Sequence, residues 1–204
     1  VDLHDFFPSI RSPRVRAAFR EMGYSRPIAK VLAELCCLRC CLPQGAPTSP
    51  ALSNIIAYPM DKKMMALAGE YGLVYTRYAD DLTFSGDYLP KDEVLVRIHR
   101  IIREEGFTMN VKKTRFLSEH KRKIITGVSV SSGKKMTLPK VKKREIRKNV
   151  HYVLTKGLVG HQEHIGSTDP VYLKRLLGSL CYWRSIEPDN RYVSDSITAL
   201  KRLM

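Results

Sequence analysis

Two adjacent carboxylates interrupt a run of strand-forming residues in the segment VYTRYADDLTFS (74–85). Val, Tyr, Thr, Leu and Phe around them predict two short strands, 73–78 and 82–85, with Asp80 and Asp81 at the tip of the hairpin. Like charges side by side repel each other unless a cation lies between them. Asp also suits tight turns, so a plain hairpin turn is the alternative explanation.

A third carboxylate, Asp2, lies close to the first residue of the chain. Residues 1–7, VDLHDFF, have the composition of a strand that ends near Pro8. If this strand pairs with the hairpin, Asp2 comes to lie near Asp80. Such a cluster suits two Mg²⁺ ions about 4 Å apart, which complete their octahedra with water and phosphate oxygens. The spacing therefore favours a cation site over a plain turn.

Positive charge is the strongest global property of the chain. Its 204 residues include 35 Lys and Arg against 20 Asp and Glu, a formal net charge of +15. Such a surface attracts polyanions, most commonly phosphate backbones. Between residues 112 and 148, 14 basic residues accompany only Glu119 and Glu145, which favours phosphate contact over a merely solvated helix face. No run of 18 apolar residues predicts a membrane span.

The cysteines do not follow the pattern of a disulfide framework. Four of the five lie within residues 36–41, the fifth is Cys181, and the one CxxC has no second copy to complete a zinc site. We predict small apolar thiols at a helix end, in a reducing, cytoplasmic compartment. Glycines around His161 and His164 predict a loop, and we expect no metal there.

Capping and breaking residues divide the rest of the chain into elements. Residues 124–130 form a further strand candidate, broken by Gly127 and followed by a turn at Ser132 and Gly133. Strands mixed with helices up to about 130, then helices alone, predict an α+β domain followed by a helical one. Ser–Pro starts and Gly stops predict helices over 13–22, 25–38, 49–68 (kinked at Pro59), 90–105, 140–156, 170–184 and 192–203.

Five segments resemble motifs A to E of reverse transcriptases, and they occur in the family's order. The pair LPQGAPTSP and RYADDLTFS is most similar to bacterial retron reverse transcriptases, whereas group II intron enzymes usually carry a PQGG form of motif B. Ile125 stands where retron enzymes carry the Val of a VTG sequence. The segments are DLHDFFPSI (2–10), LPQGAPTSP (42–50), RYADDLTFS (77–85), GFTMNVKKT (106–114) and ITGVSV (125–130).

This resemblance implies an α+β right-hand polymerase. Residues 1–130 would form a palm, an antiparallel sheet with helices, together with partial fingers, and residues 131–204 an all-helical thumb. The implied function is an RNA-directed DNA polymerase that extends a primer on an RNA template with dNTPs by two-metal-ion nucleotidyl transfer. A retron-type enzyme makes RNA-linked single-stranded DNA with a cognate structured non-coding RNA, and acts with an effector protein in phage defence.

Two alternatives remain open at this point. One is another prokaryotic reverse transcriptase, from a group II intron, a diversity-generating element or an abortive-infection system. The other is a non-catalytic nucleic-acid-binding module. The chain begins at Val1 without an initiator Met, a signal peptide or the fingers residues upstream of motif A, so we expect an N-terminally truncated fragment.

The resemblance also implies the metal ligands. Asp2 matches the aspartate of motif A, and the backbone carbonyl of Leu3 would be a further ligand. Asp80 and Asp81 match the pair of motif C. These residues would hold two Mg²⁺ ions, with Mn²⁺ as a substitute. Lys113 matches the motif D lysine that protonates pyrophosphate, and Lys112 is the fallback.

The remaining motif residues would contact the nucleotide and the primer. Phe7 matches the steric gate that excludes a ribose 2′-hydroxyl, and Asp5 and Phe6 would offer backbone amides to the triphosphate. Without the resemblance to this family, Phe7 would be interpreted as an ordinary core residue of a strand. The residues implied to touch the incoming nucleotide and template are Gln44 and Gly45, those of the primer grip are Thr126 and Gly127, and the basic segment 134–148 would clasp the template–primer duplex.

Overall fold

The computed structural model describes residues 1–117, 121–131 and 135–203. The chain folds as two compact units, Val1–Phe116 and Leu117–Met204, each around its own buried apolar cluster. The palm and thumb boundary after residue 130 stays a prediction. The turn expected at Ser132 and Gly133 lies outside the described residues.

Helices make up most of the first unit. Pro at the first turn starts three of them, where its missing N–H costs no hydrogen bond. The predicted helices are confirmed within two residues at each end, and α4 continues through Pro59. The helices are α1 (Phe6–Ser9), α2 (Ser12–Glu21), α3 (Arg26–Cys36), α4 (Ser49–Glu70) and α5 (Lys91–Glu104).

The predicted hairpin is confirmed, but its turn is one residue shorter than predicted. Strands β1 (Val74–Tyr78) and β2 (Asp81–Ser85) are antiparallel, and Tyr78 pairs with Asp81. Asp81 is therefore the first residue of β2, and only Ala79 and Asp80 form the turn. Ala79 has a φ of +51°, the left-handed conformation that fits a two-residue turn to the twist of its strands.

Residues 1–4 lie between β2 and residues 108–110. On one side Asp2 forms an antiparallel bridge with Asp81, and the Leu3 N–H donates to the Asp80 carbonyl at 2.8 Å. On the other side Leu3 bridges Met109, also antiparallel. Asp2 is thus held by backbone hydrogen bonds from both neighbours.

The strand predicted over residues 1–7 is wrong beyond Leu3, the last of its residues to form a β-bridge. Asp5 adopts a φ of +45°, and Phe6–Ser9 form the helical turn α1. Aromatic residues favour strands by propensity, but packing decides here. The turn buries the Phe6 ring against Phe107, with ring centroids 5.4 Å apart.

Within residues 121–131 and 135–203, the second unit forms a small hairpin and three helices. The hairpin of β3 (Ile124–Ile125) and β4 (Val128–Ser129) confirms the interrupted strand candidate. Around the buried Trp183 pack α6 (Lys140–His164), α7 (Tyr172–Ile186) and α8 (Arg191–Lys201). Among the described helices, none combines the length and apolar character that a membrane crossing demands.

The predicted loop around His161 and His164 is wrong, because both residues belong to α6. Gly157 breaks the helical conformation with φ +76° and ψ 165°, yet the helix resumes after it. His161 is fully buried, and its Nε2 lies 2.8 Å from the Tyr172 hydroxyl. This burial favours helix over the loop that the glycines suggest.

Candidate active site

A cavity of about 500 Å³ in the first unit gathers most of the residues singled out from the sequence. They come from the start of the chain, the loop before α4, the β1–β2 turn and the loop after residue 107. Eight of its ten lining residues are predicted site residues: Asp2, Leu3, Asp5, Phe6, Phe7, Gln44, Asp80 and Lys113. The other two are His4 and Asn110.

Asp2 supplies the cavity with a carboxylate of which one oxygen, Oδ2, accepts a hydrogen bond from Lys113 Nζ and the other, Oδ1, accepts none. Its Oδ1 is buried and accepts none, while Lys113 Nζ lies 3.4 Å from Oδ1 and 3.5 Å from Oδ2. A buried carboxylate oxygen needs a cation to offset its lost hydration. Hard oxygen ligands of this kind fit Mg²⁺ better than softer metals.

Asp80 and Asp81 reach Asp2 through the backbone. Partial burial raises the pKa of the Asp81 carboxyl above its usual value, and the negative charges of Asp2 and Asp80 raise it further. The three carboxylates therefore interact electrostatically. Within residues 1–117, 121–131 and 135–203, however, no three His, Cys, Asp or Glu side chains stand close enough to enclose a metal. The backbone therefore brings the three aspartates into neighbouring positions, but their side chains do not converge on one point.

Asn110 is a cavity residue that the sequence analysis missed. Its N–H donates to the Asp2 carbonyl at 2.8 Å, and its side-chain Oδ1 accepts from the Lys113 N–H at 3.3 Å. Asn110 thereby connects the backbone of Asp2 with the turn that carries Lys113. The available signal was an Asn three positions before Lys113, since Asn side chains start turns of this kind.

The two aromatic residues of α1 lie in different environments. Phe6 is 2% exposed and belongs to the core, whereas Phe7 is half-buried and lines the cavity. Their ring centroids are 5.4 Å apart and their planes are inclined by 55°. Phe7 is thus supported by a fixed neighbour.

The loop before α4 brings Gln44 to the cavity. The Leu42 N–H donates to the Ile10 carbonyl at 3.1 Å, and Ser49 Oγ donates to the Pro43 carbonyl at 2.7 Å. Gly45 has a φ of +87° and is not among the lining residues. Gly45 therefore shapes the backbone beside Gln44.

Thr126 and Gly127 lie in the second unit. They form the turn between β3 and β4 with φ values of +46° and +83°. Two successive positive φ values are typical of tight hairpin turns. A Cβ on Gly127 would meet no heavy atom of the described residues within 4 Å, so a side chain there is limited by backbone conformation, not by space within the chain.

One cavity thus combines the carboxylates of Asp2 and Asp80 with an aromatic residue, Phe7, and a lysine, Lys113. The sequence profile of the family described as Reverse transcriptase (RNA-dependent DNA polymerase) matches residues 1–153. The chain belongs to this family.

Curated relatives are named as retron enzymes. The retron Ec86 reverse transcriptase of Escherichia coli is 40% identical over 167 residues, which cover 81% of this chain and 51% of the relative. The retron Mx65 reverse transcriptase of Myxococcus xanthus is 35% identical over 209 residues, covering 93% and 46%. The chain therefore spans about half the length of the curated relatives it matches.

Proposed function

We propose that the protein containing this chain is an RNA-directed DNA polymerase that extends a primer on an RNA template with dNTPs. The observation that carries this proposal is the single cavity shared by Asp2, Asp80, Phe7, Gln44 and Lys113. Membership of the reverse transcriptase family supports the same chemistry. In this proposal residues 1–130 are the palm with partial fingers, and residues 131–204 are the helical thumb.

The acidic residues of the cavity would hold two Mg²⁺ ions, for which Mn²⁺ can substitute. Asp2, Asp80, Asp81 and the Leu3 carbonyl are the proposed ligands. When bound, such ions lower the pKa of the primer 3′-hydroxyl and stabilise the charge of the leaving pyrophosphate. The buried Asp2 Oδ1, which accepts no hydrogen bond, is the atom of the chain best suited to this role.

The other cavity residues orient the substrates. Phe7 excludes a ribose 2′-hydroxyl, and Gln44, with Gly45 behind it, contacts the incoming nucleotide and the template. The backbone amides of Asp5 and Phe6 bind the triphosphate. Lys113 moves a proton to the departing pyrophosphate from its Nζ. Positioning of this kind supplies much of the catalysis in phosphoryl transfer.

The primer and product contacts belong to the second unit. In this proposal the Thr126–Gly127 turn grips the primer, because a position without a Cβ lets the primer backbone approach closely. Lys and Arg residues of segment 134–148 bind the phosphates of the template–primer duplex.

The retron type is the specific form we propose. Motif B reads LPQGAPTSP, and two relatives, 40% and 35% identical, are named retron reverse transcriptases. The product would be single-stranded DNA linked to a structured non-coding RNA, made in the cytoplasm, with an effector protein and a role in phage defence. Nucleic acid extracted from cells with the intact locus tests this form, since a retron yields a small branched RNA–DNA and the other prokaryotic types do not.

The central test replaces one carboxylate in the full-length protein. Asp80→Asn removes a proposed metal ligand, so we expect dNTP incorporation on an RNA template to be lost while RNA binding stays nearly unchanged. Asp87→Asn is the matched control, because Asp87 is an exposed carboxylate beyond the end of β2 and does not line the cavity. Persistent incorporation by the Asp80 variant contradicts the metal assignment.

A further inference from the structure

Arg77 of β1 is the most fully buried cation among the ion pairs that the described residues form. Its side chain is 6% exposed, and Asp61 of α4 is 18% exposed. Arg77 Nε donates to Asp61 Oδ1 at 2.8 Å, and Nη2 donates to Oδ2 at 2.6 Å. Two parallel hydrogen bonds between guanidinium and carboxylate fix both groups in direction as well as distance.

The same guanidinium reaches the turn that precedes Asp80. Arg77 Nη1 donates to the Ala79 carbonyl at 3.0 Å and to Asn54 Oδ1 at 3.1 Å. Ala79 is one of the few residues other than glycine with a positive φ, a conformation that costs energy unless the surroundings stabilise it. Arg77 supplies part of that stabilisation at the carbonyl of the strained residue.

Two further contacts hold this arrangement in place. The Tyr75 hydroxyl donates to Asp61 Oδ1 at 2.7 Å, and burial, then Asp61, raises the pKa of Tyr75, so the hydroxyl keeps its proton. The Arg77 guanidinium also lies over the Phe6 ring, 5.7 Å from its centroid. One side chain thus touches α4, the β1–β2 turn and an aromatic residue of the cavity.

We propose that Arg77, anchored by Asp61, is a positioning residue that fixes the turn carrying Asp80 and thereby sets the affinity of the site for divalent cations. This inference rests on the proposed function, since it concerns the same carboxylates. Arg77 does not line the cavity, so it acts through Ala79 and Asp80. Lys cannot replace it, because an ammonium group lacks the planar set of donors that meets Asp61 and Ala79 together.

The chain offers a matched control for a purely structural role. Arg97 of α5 also forms a two-pronged ion pair with a carboxylate of α4, Glu70, with Nη1 close to Oε2 and Nη2 3.0 Å from Oε1. Neither residue lines the cavity. Arg97→Lys therefore weakens a link of the same chemistry to α4, although a more exposed one (Arg97 is 38% exposed), without touching the turn of Asp80.

The experiment compares Arg77→Lys with Arg97→Lys in the full-length protein. Tb³⁺ luminescence, with Mg²⁺ as competitor, measures cation binding without turnover, and dNTP incorporation is measured against Mg²⁺ concentration. Supporting groups behind metal ligands typically contribute 10- to 100-fold in affinity. We expect Arg77→Lys to raise the half-saturating Mg²⁺ concentration by about that factor in both assays, and Arg97→Lys to leave it unchanged.

Equal Mg²⁺ dependence in the two variants overturns the inference. If the wild-type protein incorporates no dNTP, the proposed function fails, while the Tb³⁺ titration still tests the role of Arg77. If Arg77→Lys does not fold, Tyr75→Phe takes its place, since it removes one hydrogen bond to Asp61. A smaller shift in the same direction then supports the proposal, and an unchanged Mg²⁺ affinity contradicts it.

Discussion

Phe7 projects into the cavity from a short helical turn whose other aromatic residue, Phe6, is anchored in the core. We expect Phe7→Ala to reduce discrimination against ribonucleotides by about tenfold or more, since a lost aromatic wall removes a steric barrier. The ratio of incorporation rates for matched dNTP and rNTP measures this. Phe19→Ala is the control, because Phe19 is partly buried against Tyr24 outside the cavity. Equal discrimination by the wild type and the Phe7 variant rules out the gate.

Lys113 and Lys112 are adjacent, exposed lysines, but only Lys113 lines the cavity. Removal of a general acid typically lowers a rate by 10² to 10⁴. We therefore expect Lys113→Ala to reduce the single-turnover rate by about 10²-fold. Lys112→Ala is the matched control and should leave the rate within a few fold. If Lys112→Ala lowers the rate more than Lys113→Ala, the general acid is Lys112.

At the scale of single residues, the sequence predicts those that stand in a recognisable motif. It misses those that matter through hydrogen bonds to distant parts of the chain. Asp2, Phe7 and Lys113 stand in recognisable motifs, and all three line the cavity. Asn110 and Arg77 act through hydrogen bonds to backbone carbonyls, so their partners emerge only when distant segments meet. The Asp61 that anchors Arg77 is a single acid within a long helix, which no spacing rule distinguishes.

At the scale of the elements, the carboxylate of Glu187 holds the segment that leads into α6. Glu187 accepts hydrogen bonds from Lys143 Nζ at 2.6 Å, from Thr137 Oγ1 at 2.5 Å and from Asn190 Nδ2 at 2.9 Å. Burial alone would raise the pKa of Glu187, but the bonds from Lys143, Thr137 and Asn190 outweigh it and lower the pKa to about 2.

This lowered pKa gives the second unit a defined pH dependence. Glu187 stabilises the fold fully above its usual pKa of 4.5, and the contribution is lost as pH falls from 4.5 towards 2. Glu187→Gln should lower the free energy of unfolding by about 1–3 kcal/mol at pH 7, since buried donors lose a charged partner. The difference from wild type should vanish near pH 2.

Urea denaturation followed by the fluorescence of Trp183, the single Trp of the 204 residues, measures this. Glu145→Gln is the control, because Glu145 forms an exposed ion pair with Lys142 at 3.0 Å. Such surface pairs contribute roughly 0–1 kcal/mol. If Glu145→Gln lowered the free energy of unfolding as much as Glu187→Gln does, the special role of Glu187 would be refuted.

Long helices and the hairpin were predictable because capping residues and alternating side chains encode them locally. Helix α1 was not predictable, because Phe6 and Phe7 favour a strand by their intrinsic propensity. Only the packing of Phe6 against Phe107 in the core favours a helical turn there. The end of α6 was missed for a related reason. Gly157 does interrupt the helix, but burial of His161 makes it resume.

For the whole molecule, the net charge of +15 predicts how RNA binding responds to salt. A protein that makes six to ten phosphate contacts loses about 10³- to 10⁵-fold in affinity between 50 and 200 mM salt. We expect a steep fall of this order, measured by fluorescence anisotropy with a labelled RNA duplex. An uncharged backbone analogue of the same sequence is the control and should show weak binding with little salt dependence. Equal binding of the two contradicts phosphate recognition.

Residues 1–4 take their partners from β2 and from residues 108–110, far along the chain. During synthesis Asp2 therefore leaves the ribosome long before the segment that completes its surroundings. At roughly 5–20 residues per second, the interval is about 5 to 20 seconds. In the proposed function Asp2 is a metal ligand, so we expect a polypeptide cut short before Asn110, which lacks the 108–110 partners of residues 1–4, to bind Mg²⁺ more weakly than the complete chain.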